Sequence, residues 1–170
     1  MSIDDLSTAK YADLPCEEKL RLLEDDVMPI VKDISRHTIK ARKAMEQNPV
    51  TTLVLSNAQV DLAILNQRLG ERVAWAGAVE READNLLSTV RERHKVRLTQ
   101  GYDEDGVKTK PIAAGVADSM KVGLVEAEHD LWNRAKHMHE RLKYLRTSTD
   151  KTIDTIRSKL TYERADLRNA

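Results

Sequence analysis

A short cationic stretch stands out among the residues whose chemistry suits the binding of a ligand. Within residues 91–97, RERHKVR, five of the seven side chains are basic or imidazole, namely Arg91, Arg93, His94, Lys95 and Arg97. Lys108 and Lys110 follow after the segment GYDEDG. Ammonium and guanidinium groups bind phosphate oxygens whatever the base sequence. The stretch therefore predicts a surface for a polyanion.

The spacing of these residues decides which of them can act together. On a helix, Arg93 and Arg97 are four apart and share a face. Lys95 and Arg97 are two apart and diverge by about 200°, so they point to the same side only if the helix frays into an extended segment there. A second interpretation is that bases collect at a helix C-terminus because each complements the dipole by roughly 0.3 to 1 kcal/mol. Five such residues exceed what a dipole needs.

Composition favours an elongated helical protein over one with a deep globular core. The 170 residues include no Phe, two Trp and four Tyr, and 33% of them are charged, so few large side chains are available to fill an interior. The lone Cys16 excludes an internal disulfide and is typical of a reducing compartment. No signal-peptide pattern opens the chain, and no run of about eighteen apolar residues occurs. We therefore expect a cytoplasmic protein without membrane contact.

The formal net charge is zero, but the charges are unevenly distributed. Residues 1–30 carry eight acids and three bases, and residues 90–99 carry four bases and one acid. Residues 100–130 carry seven acids and three bases, and residues 131–170 carry ten bases and five acids. Alternating blocks suit either a charged partner or another subunit, so charge alone does not identify the partner.

Proline positions and apolar spacing predict an all-α chain. Pro15 suits the first turn of a helix, and Pro29 should kink or restart that helix. The helix should end near residue 48, where Pro49 can open the next one. The second helix should run to about residue 98, with apolar residues at intervals of three, four or seven. These residues are Leu62, Leu65, Leu69, Val73, Ala76, Ala83, Leu87 and Val90.

A loop and a third long helix complete the predicted order. GYDEDG has turn chemistry, and the last helix can begin near Thr109 or at Asp118, because both residue types cap well. Its apolar residues then follow a nearly unbroken heptad pattern from Ala117 to Leu167. Two helices of roughly 45 to 55 residues each extend about 70 to 80 Å. Their connecting loop should fold them back as an antiparallel hairpin.

The predicted fold class is thus all-α, a long antiparallel helical hairpin at residues 49–170 with an N-terminal helical arm at residues 1–48. The hairpin is coiled-coil-like, and apolar residues such as Val60, Ile64 and Tyr144 fall on or beyond the edges of its seam. Apolar stripes wider than a two-helix seam require a third helix or another subunit. We expect the shorter N-terminal helices to cover part of this surface and a homo-oligomer to cover the rest.

Other reactive side chains do not form a recognisable site. His137 and His139 diverge by about 200° on a helix, whereas metal ligands there are three or four apart. No GxxxxGK[ST] motif for a nucleotide occurs, and no strand-turn-helix elbow exposes a nucleophile. We therefore expect no metal, no cofactor and no catalysis. The bases of the last helix predict a solvated or salt-bridged face, or else a secondary path for nucleic acid; they are Arg134, Lys136, Arg141, Lys143, Arg146, Lys151, Arg157 and Lys159.

Three segments share a pattern with a known family: HKVRLTQGYDEDG, SMKVGLVEAEHDLW and RLKYLRTSTDKTIDTIRSKLTYERAD. A Lys-x-Arg-Leu step ends a helix, a short acidic or Gly-rich loop follows, and a long helix begins with Met-Lys. Over residues 60–170 the chain resembles the recombination mediators of the UvsY type from tailed bacteriophages.

The resemblance implies an all-α subunit in a closed oligomer that binds single-stranded DNA non-specifically. Such proteins displace the single-strand-binding protein and help to load a RecA-like recombinase without hydrolysing nucleotide. The Lys and Arg of the family's motif fall on Lys95 and Arg97, and Arg91, Arg93, Lys108 and Lys110 flank them. The resemblance also implies the cytoplasm of the host cell. The first sixty residues exceed the family's pattern, and their acidic start is either a partner-docking arm or a local helix cover.

Two functions of other classes stay open. The heptads also suit a phage structural or assembly protein, such as a scaffold or chaperone, in which the coiled coil itself is the interaction surface. A small phage inhibitor of a host enzyme is the third possibility. Retention on immobilised single strands separates the first prediction from the second, and a stoichiometric complex with one host protein identifies the third.

Overall fold

The computed structural model describes residues 13–47, 50–103, 105–120 and 123–169, with side chains as far as residue 166. The described helices are α1 (Cys16–Met45), α2 (Thr52–Gln100), α3 (Ala114–Met120) and α4 (Glu126–Asn169), with a 3₁₀ turn at Gly123–Val125. Within these ranges the only β-type pairing is an isolated antiparallel bridge between Tyr102 and Lys108. The predicted all-α class is confirmed. None of the described helices is long and apolar enough to cross a membrane.

The chain divides into two compact units. The first contains the residues up to Ala76 together with those from Met138 onward, and the second is Gly77–His137. Both α2 and α4 therefore contribute one part to each unit. The separation of an arm at residues 1–48 from a hairpin at residues 49–170 stays a prediction.

In the first unit, α1 and α2 lie antiparallel. Arg72 of α2 donates from Nε to Asp26 Oδ2 of α1 at 2.9 Å. Eleven residues earlier on α2, Asp61 lies 3.2 Å from His37 Nδ1, which is further along α1. Residue numbers thus rise on one helix as they fall on the other. The side chain of Arg72 is only 8% exposed, so its ion pair lies inside the packing between the two helices.

The last part of α4 lies antiparallel to α2 in the same unit. Asn66 Nδ2 donates to Asp150 Oδ1, and the guanidinium of Arg146 lies over Gly70, where an added Cβ would be 3.3 Å from Arg146 Cζ. Later positions on α2 again meet earlier positions on α4. The first unit is therefore a bundle of three helices with α2 antiparallel to both neighbours.

The core of the first unit follows the apolar spacing of all three helices. Burying each aliphatic side chain of this size contributes roughly 1.5 to 3 kcal/mol. The positions predicted for α2, Leu62, Leu65 and Leu69, are buried in this core. Thr149 on the α4 stripe is also buried, with its hydroxyl donated to the Leu145 carbonyl at 2.9 Å. Further core residues are Leu23, Val27, Ile30, Ile34, Leu55, Leu142, Ile153, Ile156 and Leu160.

Helix α1 does not restart at Pro29, whereas the alternative of a kink there stays a prediction. The helix runs without interruption from Cys16 to Met45 with Pro29 inside it. Pro29 is exposed, whereas Val27 and Ile30 beside it are buried in the core. Packing on both sides of the proline outweighs the backbone hydrogen bond that the ring removes. The predicted helix start at Pro49 lies outside the described residues.

The second unit contains the end of α2, the loop, α3, the 3₁₀ turn and the start of α4. The predicted last helix is interrupted here, because α3 ends at Met120 and α4 begins only at Glu126. Gly123, a poor helix former, starts the 3₁₀ turn between them. Buried apolar residues of this unit are Val79, Ala83, Leu87, Leu98, Ala117, Val125 and Ala135.

Candidate nucleic-acid interface

The end of α2 presents its bases on two separate faces. The helix continues to Gln100, so the frayed, extended arrangement of Lys95 and Arg97 does not occur. At about 100° per residue these two side chains leave the helix in nearly opposite directions. Arg91 points to the same side of the helix as Lys95, and Arg93 points to the same side as Arg97. The cationic stretch therefore forms two pairs, each one helical turn in length.

The pair formed by Arg91 and Lys95 is half-buried. Lys95 Nζ lies 3.2 Å from Asp118 Oδ1 of α3, with the two side chains 32% and 43% exposed. The Nε atom of Arg91 is buried and has no hydrogen-bond partner among the described residues. A phosphate that approaches this side competes with the Asp118 carboxylate for the lysine.

The pair formed by Arg93 and Arg97 lies on the exposed face of α2. The two residues are four apart, as predicted, so their guanidinium groups emerge from the same side of consecutive turns. Val96 beside them is also exposed, at 48%. Two planar donors on one solvent-facing surface suit the phosphate groups of a nucleic-acid backbone, which accept paired N–H bonds.

An ordered turn joins α2 to the loop that carries Lys108 and Lys110. The Gly101 N–H donates to the Leu98 carbonyl at 3.2 Å, and the Tyr102 N–H donates to the Arg97 carbonyl at 2.9 Å. This pair of bonds is the Schellman arrangement, in which glycine takes a positive φ after the last helical turn. Gly101 has φ 78°. The chain then leaves the helix in a fixed direction.

The loop closes into a small hairpin by hydrogen bonds. The Asp103 N–H donates to the Val107 carbonyl at 3.0 Å, and the Asp103 side chain accepts from the Val107 N–H at 2.7 Å. Gly106, with φ 79°, supplies the second left-handed position. The acids of GYDEDG thus include one with a structural role, because Asp103 fixes the reversal of the chain before Lys108.

The returning arm of the loop lies beside the end of α2. The Thr109 N–H donates to the Gly101 carbonyl at 2.7 Å, and the Ile112 N–H donates to the Leu98 carbonyl at 3.1 Å. Lys108 and Lys110 stand on either side of Thr109, and both are exposed. The structure thus brings the loop lysines to the same end of α2 as Arg97, within the second unit.

Sequence reasoning missed the contact between Lys95 and Asp118. The sequence predicts Asp118 as a possible cap at the start of the last helix, but it lies inside α3 and pairs with Lys95. The sequence indicates such an ion pair only through its distribution of charge, since residues 90–99 are basic and residues 100–130 are acidic. Lys121, the lysine of the Met-Lys step in the family's pattern, lies outside the described residues.

The bases of α4 have several local partners. Arg157 pairs with Asp154 at 3.2 Å, and Lys159 pairs with Glu163 at 2.7 Å. Lys136 Nζ lies 5.0 Å from the centroid of the Trp132 ring. These contacts account for part of the basic surface without any ligand.

His137 and His139 are two positions apart on α4 and point in nearly opposite directions. His137 is exposed and His139 is half-buried. No group of three or more His, Cys, Asp or Glu side chains within the described ranges is arranged to hold a metal ion.

Comparison with known proteins identified no matching family, no similar curated protein and no similar solved structure. The likeness to UvsY-type mediators therefore remains a prediction from the sequence motifs.

Proposed function

We propose that this protein is a recombination mediator of the UvsY type, which binds single-stranded DNA without sequence preference and assists the loading of a RecA-like recombinase. The observation that carries the proposal is the exposed pair Arg93 and Arg97 at the end of α2, beside a hydrogen-bonded loop with Lys108 and Lys110 exposed. Four cations at one helix end exceed the number that the helix dipole needs.

Each part of the cationic end has its own role in the proposed binding. The outer arginines engage phosphates directly, because they are exposed and one turn apart. The loop lysines extend the same positive surface. Lys95 engages a phosphate only in exchange for Asp118, 3.2 Å away, and Arg91 lies on its side of the helix. Asp118 thus reduces the contribution of Lys95 to binding.

Self-association multiplies these contacts. A single helix end holds few phosphates, but several copies in one assembly raise the avidity without new chemistry. The proposed subunit is a long antiparallel, coiled-coil-like hairpin, supported by the antiparallel contacts between α2 and α4 in the first unit. Single-strand-binding protein and the recombinase are the further proposed partners, in the cytoplasm of a phage-infected host.

Salt-dependent binding of an oligonucleotide tests the proposal. We expect Arg93→Ala/Arg97→Ala to weaken binding of oligo-dT and to lower the slope of log K against log salt by about 1.4, since each phosphate contact on a single strand contributes about 0.7. Arg36→Ala is the matched control, because it removes an exposed arginine of α1 that pairs with Asp33. Equal affinities and slopes for the double variant and the control contradict the role of the two arginines.

The Lys95 side is tested by Asp118→Asn. This change keeps the size of the side chain and removes the charge that lies next to Lys95. We expect tighter binding of the oligonucleotide and a steeper salt slope. Lys95→Ala in the Asp118→Asn background should cancel the gain. An unchanged affinity in Asp118→Asn shows that Lys95 does not contact the strand.

Recombinase loading requires a separate measurement. Wild-type protein should shorten the lag before a RecA-like recombinase forms filaments on single strands coated with single-strand-binding protein, whereas Arg93→Ala/Arg97→Ala should restore the lag. Strand binding without any effect on the lag separates a plain DNA-binding protein from a mediator.

A structural or assembly role is the second candidate, and one observation favours it. Exposed apolar side chains recur on α2 at Leu53, Val60 and Ile64, which are 70%, 57% and 49% exposed. Spacings of seven and four place them on one line, opposite the buried Leu62. Under this alternative the protein self-associates but is not retained on single strands at moderate salt.

A further inference from the structure

The most exposed large side chains of the first unit include two tyrosines on one line of α4. Tyr144 is 78% exposed and Tyr162 is 60% exposed. They are eighteen positions apart, which is five full turns at 3.6 residues per turn, so both rings leave the helix in the same direction. An exposed aromatic ring lacks the burial that usually accounts for its size, and two on one line suggest a common ligand.

The residues between the tyrosines on this line are basic or small. Lys151 and Thr155 fall within about 20° of the line through the two rings, and both are exposed. Ser148 and Ser158 flank it within about 40°. The Thr155 and Ser158 hydroxyls donate to carbonyls of their own helix, at 2.8 and 2.9 Å. Apart from Lys151, the side chains between the rings are short, so a flexible chain can lie against the helix there.

The charge of this line is positive. Between Tyr144 and Tyr162 the only acids of α4 are Asp150 and Asp154, and each lies about 80° or more from the line. Asn66 binds Asp150 on the α2 side, and Arg157 binds Asp154. Lys151 has no carboxylate partner within 4.0 Å among the residues whose side chains the structure describes. A ligand with flat groups for the two rings and an anionic group for Lys151 suits this face.

We propose that the Tyr144–Tyr162 face of α4 is a second binding surface for single-stranded nucleic acid, in which bases stack on the two phenol rings and Lys151 holds a phosphate between them. Base stacking on aromatic side chains combined with cationic contacts to the backbone is the general mode of sequence-independent single-strand binding. Duplex DNA does not suit the surface, because its bases are stacked inside the helix. The inference rests on the proposed function for the class of ligand, but it uses none of the residues at the end of α2.

The distance between the rings sets the length of strand that both can hold. Eighteen residues at 1.5 Å per residue correspond to about 27 Å along α4. A strand with the ~3.4 Å rise of stacked bases covers this distance with about eight nucleotides, and a more extended strand needs fewer. Both tyrosines should therefore contribute to binding of a twelve-nucleotide strand, but only one at a time to binding of a two-nucleotide strand.

The local chemistry at Tyr162 supports a stacking position. Lys159 Nζ lies 5.5 Å from the centroid of the Tyr162 ring. The side-chain hydrogen bond from Lys159 to Glu163 raises the pKa of the lysine above its usual value. Because Lys159 Nζ lies 2.7 Å from Glu163 Oε1, a phosphate next to a base on this ring binds the lysine only in exchange for that carboxylate.

Photocrosslinking and affinity measurements test the inference together. Irradiation of wild-type protein with a twelve-nucleotide strand that contains 5-iodouracil should yield peptides crosslinked at Tyr144 and Tyr162. Tyr144→Ala and Tyr162→Ala should each weaken binding of an unmodified strand about fivefold, the lower end of what one stacked base contributes. Tyr144→Phe and Tyr162→Phe should bind like wild type, because the flat ring is retained.

Ile39→Ala is the matched control, since it truncates an exposed side chain of α1 in the same unit. Crosslinks confined to other peptides, or equal affinities for the tyrosine and Ile39 variants, overturn the inference. If the tyrosine variants bind normally while Arg93→Ala/Arg97→Ala binds weakly, only this second surface is wrong. If the reverse holds, the second surface stands and the end of α2 is not the contact. A wild-type protein that binds no single strand refutes both proposals.

Discussion

Replacing Gly101 with alanine tests whether close backbone contact holds the loop that carries Lys108 and Lys110. Gly101 has φ 78°, a conformation that costs other L-residues roughly 1 to 2 kcal/mol. A Cβ at this position would lie 2.7 Å from the Thr109 carbonyl oxygen and 3.0 Å from the Pro111 nitrogen. Both are backbone atoms and cannot rotate away, so the returning arm must move.

The expected loss follows from adding the two effects. Forcing atoms into occupied space typically costs about 1 to 3 kcal/mol, so Gly101→Ala should lower the free energy of unfolding by about 2 to 5 kcal/mol. Gly106→Ala is a close control, because Gly106 has φ 79° and no atom of the described residues lies within 4 Å of its added Cβ. It should lose only about 1 to 2 kcal/mol. The difference between the two variants isolates the contact with Thr109.

Two measurements are needed, because the strain can either destabilise the whole fold or open the loop locally. Urea unfolding followed by circular dichroism reports the free energy of unfolding if the loop stays attached. Amide exchange of Thr109 and Ile112 reports local opening, since their N–H groups donate to the Gly101 and Leu98 carbonyls at 2.7 and 3.1 Å. Gly101→Ala should lower the free energy of unfolding, speed the exchange of these amides, or do both, by clearly more than Gly106→Ala does. Indistinguishable stability and exchange in the two variants refute the argument that Thr109 and Pro111 exclude a side chain.

The remaining predictions concern the packing of the first unit and are checked by urea unfolding. Arg72→Ala should cost about 2 to 3 kcal/mol, somewhat below the cost for a fully enclosed pair, because it leaves the Asp26 side chain, which is 23% exposed, without its partner. Arg36→Ala removes an ion pair whose members are 66% and 44% exposed and should cost no more than about 0.5 kcal/mol; similar losses for the two arginines contradict the assigned burial. Leu62→Ala should cost about 2 to 5 kcal/mol because Leu62 is fully buried. Leu53→Ala should stay within about 0.5 kcal/mol, and a larger loss indicates that Leu53 is covered in solution, as a second copy of the chain would cover it.

The helices and their buried faces could be predicted from the sequence. Apolar spacing along α2 predicted that Leu62, Leu65 and Leu69 share the core, and all three are buried there. This inference needs only the period of the helix, whatever the helix packs against. The glycines around the acidic loop were informative for a similar reason, since a positive φ is a local requirement.

Features that depend on residues distant in the sequence could not be predicted from local patterns. Pro29 has the local character of a helix breaker, but the core on both sides of it keeps α1 continuous. The pair formed by Lys95 and Asp118 joins residues separated by the whole loop. Neither residue has a local pattern that selects the other, so only the path of the chain after Gly101 brings them together.

The continuity of α2 limits how the Lys-x-Arg motif can act in the proposed binding of single-stranded DNA. In an extended segment, side chains two apart face the same way and can grip consecutive phosphates together. In a helix that continues to Gln100 they face opposite ways, and Lys95 is paired with Asp118. A single strand that contacts only the outer surface therefore meets Arg97 together with Arg93 and not together with Lys95. If both members of the motif bind DNA, the strand must reach both faces of the helix end, and it must displace Asp118 as it does so. The relative effects of Arg93→Ala and Lys95→Ala, each in combination with Arg97→Ala, decide between these two paths.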